Sequence, residues 1–278
     1  MSRARPTLKT ATGPQFCVLV ALIWMMCPAP ASARILRTRP AGGDRRPLAL
    51  LLGSGLEFET DGEETAYGFP FLAEYELTRR FKLGVEPSWI LVRKKAGGQV
   101  SSPGDLETRL TAELIAQRRS RPGFSVESIV KWPTAHRPDL GTGRADYSFG
   151  AILSKEFVRF DLDANALYTI VGKPAGLTLN DTFEASVASE WHVGRDTDIE
   201  IEFVTAMGAG GRLHSRASSV GGFGNIGGPE QGHSESEFTL GIAEHLNPHL
   251  KLEQGGTLKS GGSWQFLLAW EYDFAGGR

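Results

Sequence analysis

Cysteine is almost absent from this chain, and that absence excludes several kinds of chemistry. The two cysteines, Cys17 and Cys27, both lie in an N-terminal stretch that we interpret as a secretory signal peptide. The chain that remains after cleavage has no disulfide bond, no thiol nucleophile and no thiolate metal site. A secreted protein of this size then needs another source of stability, and closure of a β-barrel would be one.

Long apolar runs are also missing. The N-terminal run Phe16–Met26 has eleven residues, whereas a membrane-spanning helix needs about 20. It follows a basic segment and precedes the triplet Ala31–Ala33, which is the pattern of a signal peptide and its cleavage site. A buried helix of the mature protein and a lipoprotein signal are the alternatives. We assign residues 1–33 to a signal peptide and the basic, Pro- and Gly-containing residues 34–47 to a flexible lead-in.

No strong charge of either sign is present, with 30 basic and 32 acidic residues in the chain. We therefore predict no nucleic-acid partner. The glycine pattern Gly141–Gly143 does not follow a strand and open a helix, so a phosphate-binding loop is excluded by its context. The sequence predicts no cofactor and no metal site.

The C-terminal stretch Ser263–Phe274 is the clearest element that is present. Every second residue is large and apolar, while the residues between them are mixed to polar. A strand points successive side chains to opposite faces, whereas a helix would scatter the aromatic residues around its axis. The stretch therefore predicts a strand with one aromatic face, carried by Trp264, Phe266, Leu268, Trp270, Tyr272 and Phe274.

Similar alternation recurs along the chain and predicts about twelve strands. Each is near the ~9–11 residues with which a tilted strand crosses a bilayer. The predicted bounds are about 48–59, 66–77, 81–93, 105–117, 124–134, 146–157, 160–172, 181–193, 198–209, 235–246, 249–260 and 263–274. The fourth has good helix formers and is a possible helix; the eleventh, with Gly255 and Gly256, has the weakest pattern.

The connections alternate in length. Those after the even-numbered strands are short, whereas those after the odd-numbered strands are mostly longer, with residues 94–104 and 210–234 as examples. Short turns on one rim and long loops on the other are typical of bacterial outer-membrane barrels. We predict an all-β fold, a single antiparallel up-and-down transmembrane barrel over residues 48–278, in the outer membrane of a Gram-negative bacterium. A soluble β-sandwich is the alternative.

This interpretation assigns the two faces of the strands. The aromatic face of the last strand would meet lipid through Trp264, Phe266, Trp270, Tyr272 and Phe274. The polar face would line the lumen, with Glu74, Glu86, Arg109, Glu127, Lys131, Asp161, Asp163, Glu184, Glu200, Glu202 and Glu271 as candidate pore-lining residues. Acidic residues outnumber basic ones on this face, which favours cationic or neutral solutes. Alternatively, the carboxylates pair with bases in a packed interior and select nothing.

A family resemblance is carried by Ser125–Gly172. The motifs KWPT, LGTGRADY, LSKEF and ALYTIVG in this stretch resemble the outer-membrane transporters associated with meta-pathway phenol degradation. The resemblance covers about 50 residues well. It implies a secretory signal, a β-barrel and transport of hydrophobic or aromatic compounds, and it carries no catalytic residue.

The function predicted from these observations is a porin-like channel or transporter for small solutes. The expected partners are outer-membrane lipid, the small-molecule solute and the barrel-assembly machinery, for which Phe274 would be the signal. A structural or adhesion barrel without transport is one alternative. A lipid hydrolase is another, with Ser186 and His192 on one face of a strand. Their separation of about 20 Å at strand rise argues against it, so we predict no enzyme.

Two pairs of carboxylates resemble a metal or acid–base cluster. They are Asp161 with Asp163, and Glu200 with Glu202, on strands that we interpret as neighbours. Residues i and i+2 of a strand point the same way. Because carboxylates also line any polar lumen, we interpret these four residues as pore-lining.

Overall fold

A computed structural model describes residues 38–41, 48–135, 143–174, 179–208 and 235–274. The predicted signal peptide, the predicted 210–234 loop and residues 275–278 lie outside these ranges. Over the described ranges, no helix is long and apolar enough to cross a membrane.

The described residues form fourteen β-strands and no helix. In chain order they are β1 (Leu50–Thr60), β2 (Glu64–Glu76), β3 (Phe81–Glu86), β4 (Ser88–Lys94), β5 (Gln99–Pro103), β6 (Leu106–Ile115), β7 (Gly123–Trp132), β8 (Asp146–Glu156), β9 (Phe160–Ile170), β10 (Thr182–His192), β11 (Thr197–Met207), β12 (Glu235–Asn247), β13 (Leu250–Lys259) and β14 (Trp264–Asp273).

Four of these strands are halves of two long ones. Only Pro87 separates β3 from β4, and only Gly104 and Asp105 separate β5 from β6. β3 pairs with β6 and β4 pairs with β5, both antiparallel. Proline has no backbone N–H to donate, so the ladder is interrupted at Pro87, although its carbonyl accepts from the N–H of Phe71 at 2.9 Å. The wall therefore consists of twelve strands.

The wall closes on itself without an edge. Neighbours in space are neighbours in sequence around the sheet, and β1 pairs with both β2 and β14. The closing pair of β1 and β14 runs in unbroken register from Leu51 opposite Asp273 to Thr60 opposite Trp264. The predicted all-β, antiparallel, up-and-down barrel of twelve strands is confirmed.

The two faces of the wall differ in polarity. Large apolar side chains such as Phe149, Phe203 and Leu240 are exposed on the outside, whereas the alternate positions are polar and buried. The period of two in the sequence is thus the difference between the outer and inner walls. The fourth predicted strand, whose residue types also allowed a helix, is observed as the strand β6 and shows the same alternation of buried and less buried positions.

The predicted loop over residues 94–104 is wrong for most of its length. β5 occupies Gln99–Pro103 and pairs with β4. Gly97 and Gly98 lie between them with φ values of 96° and 106°, which only glycine adopts readily and which a tight hairpin requires. Sequence rules missed the strand because its Ser and Pro residues are typical of loops.

The stability cost of a charge on the apolar outer wall should depend on how deep in the bilayer the residue lies. Leu240, at the middle of β12, and Leu246, near its end, are 52% and 55% exposed. We expect Leu240→Arg to lower the free energy of unfolding by about 2–4 kcal/mol and Leu246→Arg by about 0–1 kcal/mol, because the cost of a charge falls from the bilayer midplane to its interface. Urea titration of folding into phospholipid vesicles measures both; equal effects would contradict a membrane-embedded outer wall.

Candidate functional site: the charged lumen

Charged side chains dominate the inner wall. Among the described residues, sixteen carboxylates are buried, against three cations: Arg39, Arg109 and Lys131. Lys82, Lys251 and Lys259 line the same wall and are half-buried. Burial of a charge is costly unless an opposite charge or hydrogen bonds compensate it, so the contacts of these cations organise the lumen.

Arg109 is the centre of the largest cluster. From β6 its guanidinium lies 2.9 Å from Glu107, 2.9 Å from Glu127 on β7 and 3.5 Å from Glu86 on β3. The side chains of all four residues are less than a tenth exposed. The arrangement follows from strand order, because β3 and β7 flank β6. One planar cation with several donors thereby compensates three carboxylates.

Glycines give this cluster room. Gly84 is the cross-strand partner of Arg109, and Gly150 is the partner of Glu127. A Cβ atom at Gly150 would lie 2.8 Å from Glu127 Oε1 and 2.9 Å from Leu167 Cδ1. At Gly84 it would lie 3.5 Å from Arg109 Cβ, which is ordinary contact. A side chain at position 150 would therefore displace the side chains of Glu127 and Leu167.

Residues 38–41 lie inside the barrel. Arg39 is 4% exposed, and its guanidinium lies 3.2 Å from Glu74 Oε2 and 2.6 Å from Glu86 Oε1. Glu86 is thus shared between Arg39 and Arg109. The segment before the first strand thus adds the cation of Arg39 to a wall on which carboxylates outnumber cations.

The same segment reaches the opposite side of the lumen. The N–H of Thr38 donates to Glu202 Oε1 at 2.6 Å, and its Oγ1 lies 2.7 Å from Ser186 Oγ. These partners are on β10 and β11. In the ring of twelve strands, β10 and β11 are five or six strands away from β2 and β3, which carry the partners of Arg39. The N–H of Ala41 donates to Ser154 Oγ on β8 at 2.5 Å. Residues 38–41 therefore cross the lumen and are held from three parts of the wall.

A second cluster surrounds Lys251. Its Nζ lies 2.9 Å from Glu200, 2.8 Å from Glu253 and 3.8 Å from Glu190. Smaller pairs join Lys131 to Asp146, and Lys259 to Glu59 at 2.7 Å. The inner wall thus carries several groups of ion pairs, and in the two larger ones a single cation, Arg109 or Lys251, contacts three carboxylates.

The structure places all eleven predicted pore-lining residues on the inner wall. Asp161, Asp163 and Glu184 are half-buried and the other eight are buried. Of the predicted aromatic residues on the outer face of the last strand, Trp270 is half-buried, and Trp264, Phe266, Tyr272 and Phe274 are exposed. Whether the inner residues contact a solute and the outer ones contact lipid stays a prediction.

One expected juxtaposition, between the two pairs of carboxylates, is not formed. Asp161 and Asp163 are on β9, Glu200 and Glu202 are on β11, and β10 lies between them. The expectation that these strands are neighbours was wrong, because each pairs with β10.

The residues of the hydrolase alternative also have separate partners. Ser186 Oγ lies beside Thr38, whereas His192 Nδ1 lies 2.8 Å from Asp198 Oδ1.

Sequence reasoning missed several residues of the lumen. Thr38 and Arg39 fall in the predicted flexible lead-in, and only its basic composition hinted at an acidic partner. Lys251, Glu253 and Lys259 were missed because β13 had the weakest pattern. Their alternation with apolar residues, on either side of Gly255, was the available signal.

The Arg109 cluster generates a second stability prediction. We expect Arg109→Met to lower the free energy of unfolding by about 3–5 kcal/mol, because the buried carboxylates Glu107 and Glu127 lose this cation, while Glu86 keeps Arg39. Lys95→Met is the matched control: Lys95 is 68% exposed, and its pair with Glu63 should contribute about 0–1 kcal/mol. Urea unfolding of both variants in lipid vesicles provides the comparison. Similar losses in the two would show that the buried cluster adds little.

Comparison with known proteins yields structural relatives only. No family model and no curated protein matches the chain. An outer-membrane channel from Pseudomonas putida F1 has a TM-score of 0.60 at 14% identity, covering 84% of this chain and 98% of the channel. The KdgM porin, solved in complex with disordered oligogalacturonate, has a TM-score of 0.52 at 9% identity, covering 81% and 99%.

A third solved structure, the NanC porin, has a TM-score of 0.54 at 7% identity and covers 80% of this chain and 98% of the porin. The resemblance to the phenol-degradation transporters therefore rests on the quoted motifs alone. The structural likeness, together with the apolar outer wall and the charged inner wall, shows that the chain has the fold of bacterial outer-membrane β-barrels.

Proposed function

We propose that this chain is an outer-membrane channel for small solutes whose lumen favours cations and neutral molecules over anions. The observation that carries the proposal is the excess of carboxylates on the inner wall, sixteen buried against three buried cations in the part of the chain that the structure describes. A narrow passage lined by one sign of charge concentrates ions of the opposite sign.

Apolar side chains are interspersed with the charges. Leu72, Ile129, Ile152 and Val204 occupy inner-wall positions and are at most 3% exposed. They support the solute class that the family resemblance implies, small molecules with a hydrophobic or aromatic body. We propose that such solutes pass when they are neutral or cationic.

The segment of residues 38–41 narrows this passage. It crosses the lumen, and through Arg39 it places one positive charge beside Glu74 and Glu86. Solutes would pass beside it or after it has moved, so its contacts should set both the size and the charge preference of the channel.

Cation preference is tested by ion selectivity in planar bilayers. We expect the folded protein under a KCl gradient to give a reversal potential that shows K⁺ preference, and the double variant Glu57→Gln/Glu237→Gln to reduce it. Both carboxylates are buried on the inner wall. Glu63→Gln, at an exposed loop position, is the control. Anion preference in the parent protein would refute the proposed selectivity.

The role of residues 38–41 is tested by Arg39→Ala. Loss of two charge contacts should loosen the segment and raise the single-channel conductance, and removal of one positive charge from beside Glu74 and Glu86 should increase K⁺ preference. Arg93→Ala is the control, because Arg93 is exposed on β4, 5.7 Å from the ring centre of Tyr67. Conductance equal in the two variants would show that the segment does not obstruct the passage.

The alternative functions have distinct outcomes in the same preparation. A correctly folded protein that gives neither conductance nor liposome swelling would be a structural barrel. Lipid hydrolysis that disappears in Ser186→Ala would indicate an enzyme.

A further inference from the structure

We propose that Glu190, Asp198 and His245 form a binding site for a divalent transition-metal ion of the Zn²⁺ class on the inner wall. Each residue offers one ligand atom, and the three atoms lie within 4.8 Å of one another. The residues are on the adjacent strands β10, β11 and β12, near the rim with the short turns. The proposal does not depend on transport through the barrel.

Strand register brings the ligands together. Asp198 is the cross-strand partner of Ala243, and His245 lies two residues further along the same face of β12. Glu190 is paired with Glu200, two residues after Asp198 on the same face of β11. Because all three residues are in hydrogen-bonded strands, their side chains start from a rigid backbone.

The distances suit a shared metal ion. His245 Nε2 lies 2.9 Å from Asp198 Oδ2. Two ligands of one tetrahedral Zn²⁺, each at about 2.0–2.1 Å, lie about 3.3 Å apart. The two atoms therefore need to move apart by only a few tenths of an ångström for a metal ion to bind both of them in place of their hydrogen bond.

A second histidine orients the central ligand. His192 is the cross-strand partner of Asp198, and its Nδ1 lies 2.8 Å from Asp198 Oδ1. On the other side of the ring, its Nε2 lies 3.7 Å from Asp161 Oδ2. His192 is thus a positioning residue that holds the Asp198 carboxylate with its second oxygen towards His245, as outer partners commonly do at metal sites.

The surrounding charge favours a cation. Lys251 is a positive side chain beside the site, with its Nζ 3.8 Å from Glu190 Oε2. It is compensated by Glu200 and Glu253 at 2.9 Å and 2.8 Å. The carboxylates of Glu190, Asp198 and Asp161 leave the neighbourhood negative even with Lys251 protonated.

The donor set selects the type of metal. One imidazole nitrogen and two carboxylate oxygens suit Zn²⁺ and the metals that resemble it, whereas Ca²⁺ and Mg²⁺ prefer sets of oxygen alone. Three protein ligands leave a fourth position for water or a solute group. Asp198 and His245 are 47 residues apart in the sequence, and only the barrel brings them together.

Zinc titration of the folded, untagged protein in detergent tests the site. We expect calorimetry with ZnCl₂ to show a stoichiometric site whose affinity falls at least tenfold in His245→Ala and about 10–100-fold in His192→Ala. His249→Ala is the matched control. His249 is at the same rim, where its Nδ1 lies 2.7 Å from the carbonyl of Asp273, and its removal should leave the affinity unchanged.

Two further measurements and one further variant separate loss of the site from loss of folding. Heat-modifiable gel migration shows whether each variant has folded, and Asp198→Asn removes a ligand charge while preserving the size of the side chain. Co²⁺ added in place of Zn²⁺ should give the visible absorption of a four-coordinate site in the parent and in His249→Ala. Absence of stoichiometric zinc binding in the parent, or equal affinity in His245→Ala and His249→Ala, would overturn the proposal.

Discussion

The constraint on which the structure depends is that every backbone N–H and C=O within a bilayer must find a partner inside the protein. A closed sheet meets it completely, because no strand has a free edge. Here the closure is the pairing of β1 with both β2 and β14. Once the sheet is closed, alternate side chains have only two environments, and the sequence divides between them: large apolar groups outside, charged and small groups inside.

Closure creates a second problem, which the inner wall solves with few cations. Carboxylates that point inwards are removed from much of the solvent, and Arg39, Arg109 and Lys251 each contact more than one of them. Arg39 is supplied by a segment outside the wall, so the lumen contents and the wall charges are coupled.

The clusters also divide the lumen by chemistry. On the side of β2, β3, β6 and β7, arginines compensate carboxylates with several hydrogen bonds each. On the side of β10 to β13, a lysine is surrounded by carboxylates and lies near two imidazoles that share Asp198. This second side offers mixed nitrogen and oxygen donors, which is why the proposed metal site lies there and not beside Arg109.

The sequence by itself determined the strands, their number and the face on which most side chains lie, because alternation is a local property of an extended chain. Glu74, Arg109 and Phe266 could be assigned to a wall from their neighbours alone. β5 was not predicted, because its serine and proline residues are typical of turns and interrupt the alternation of apolar and polar residues. Tertiary structure decided which residues meet. Register sets Arg109 between Glu86 and Glu127 and separates Asp161 from Glu200 by a strand. Folding of the chain into the lumen joins Thr38 to Glu202 across 164 residues. Such contacts depend on the closure and register of all twelve strands, which no single stretch of sequence encodes.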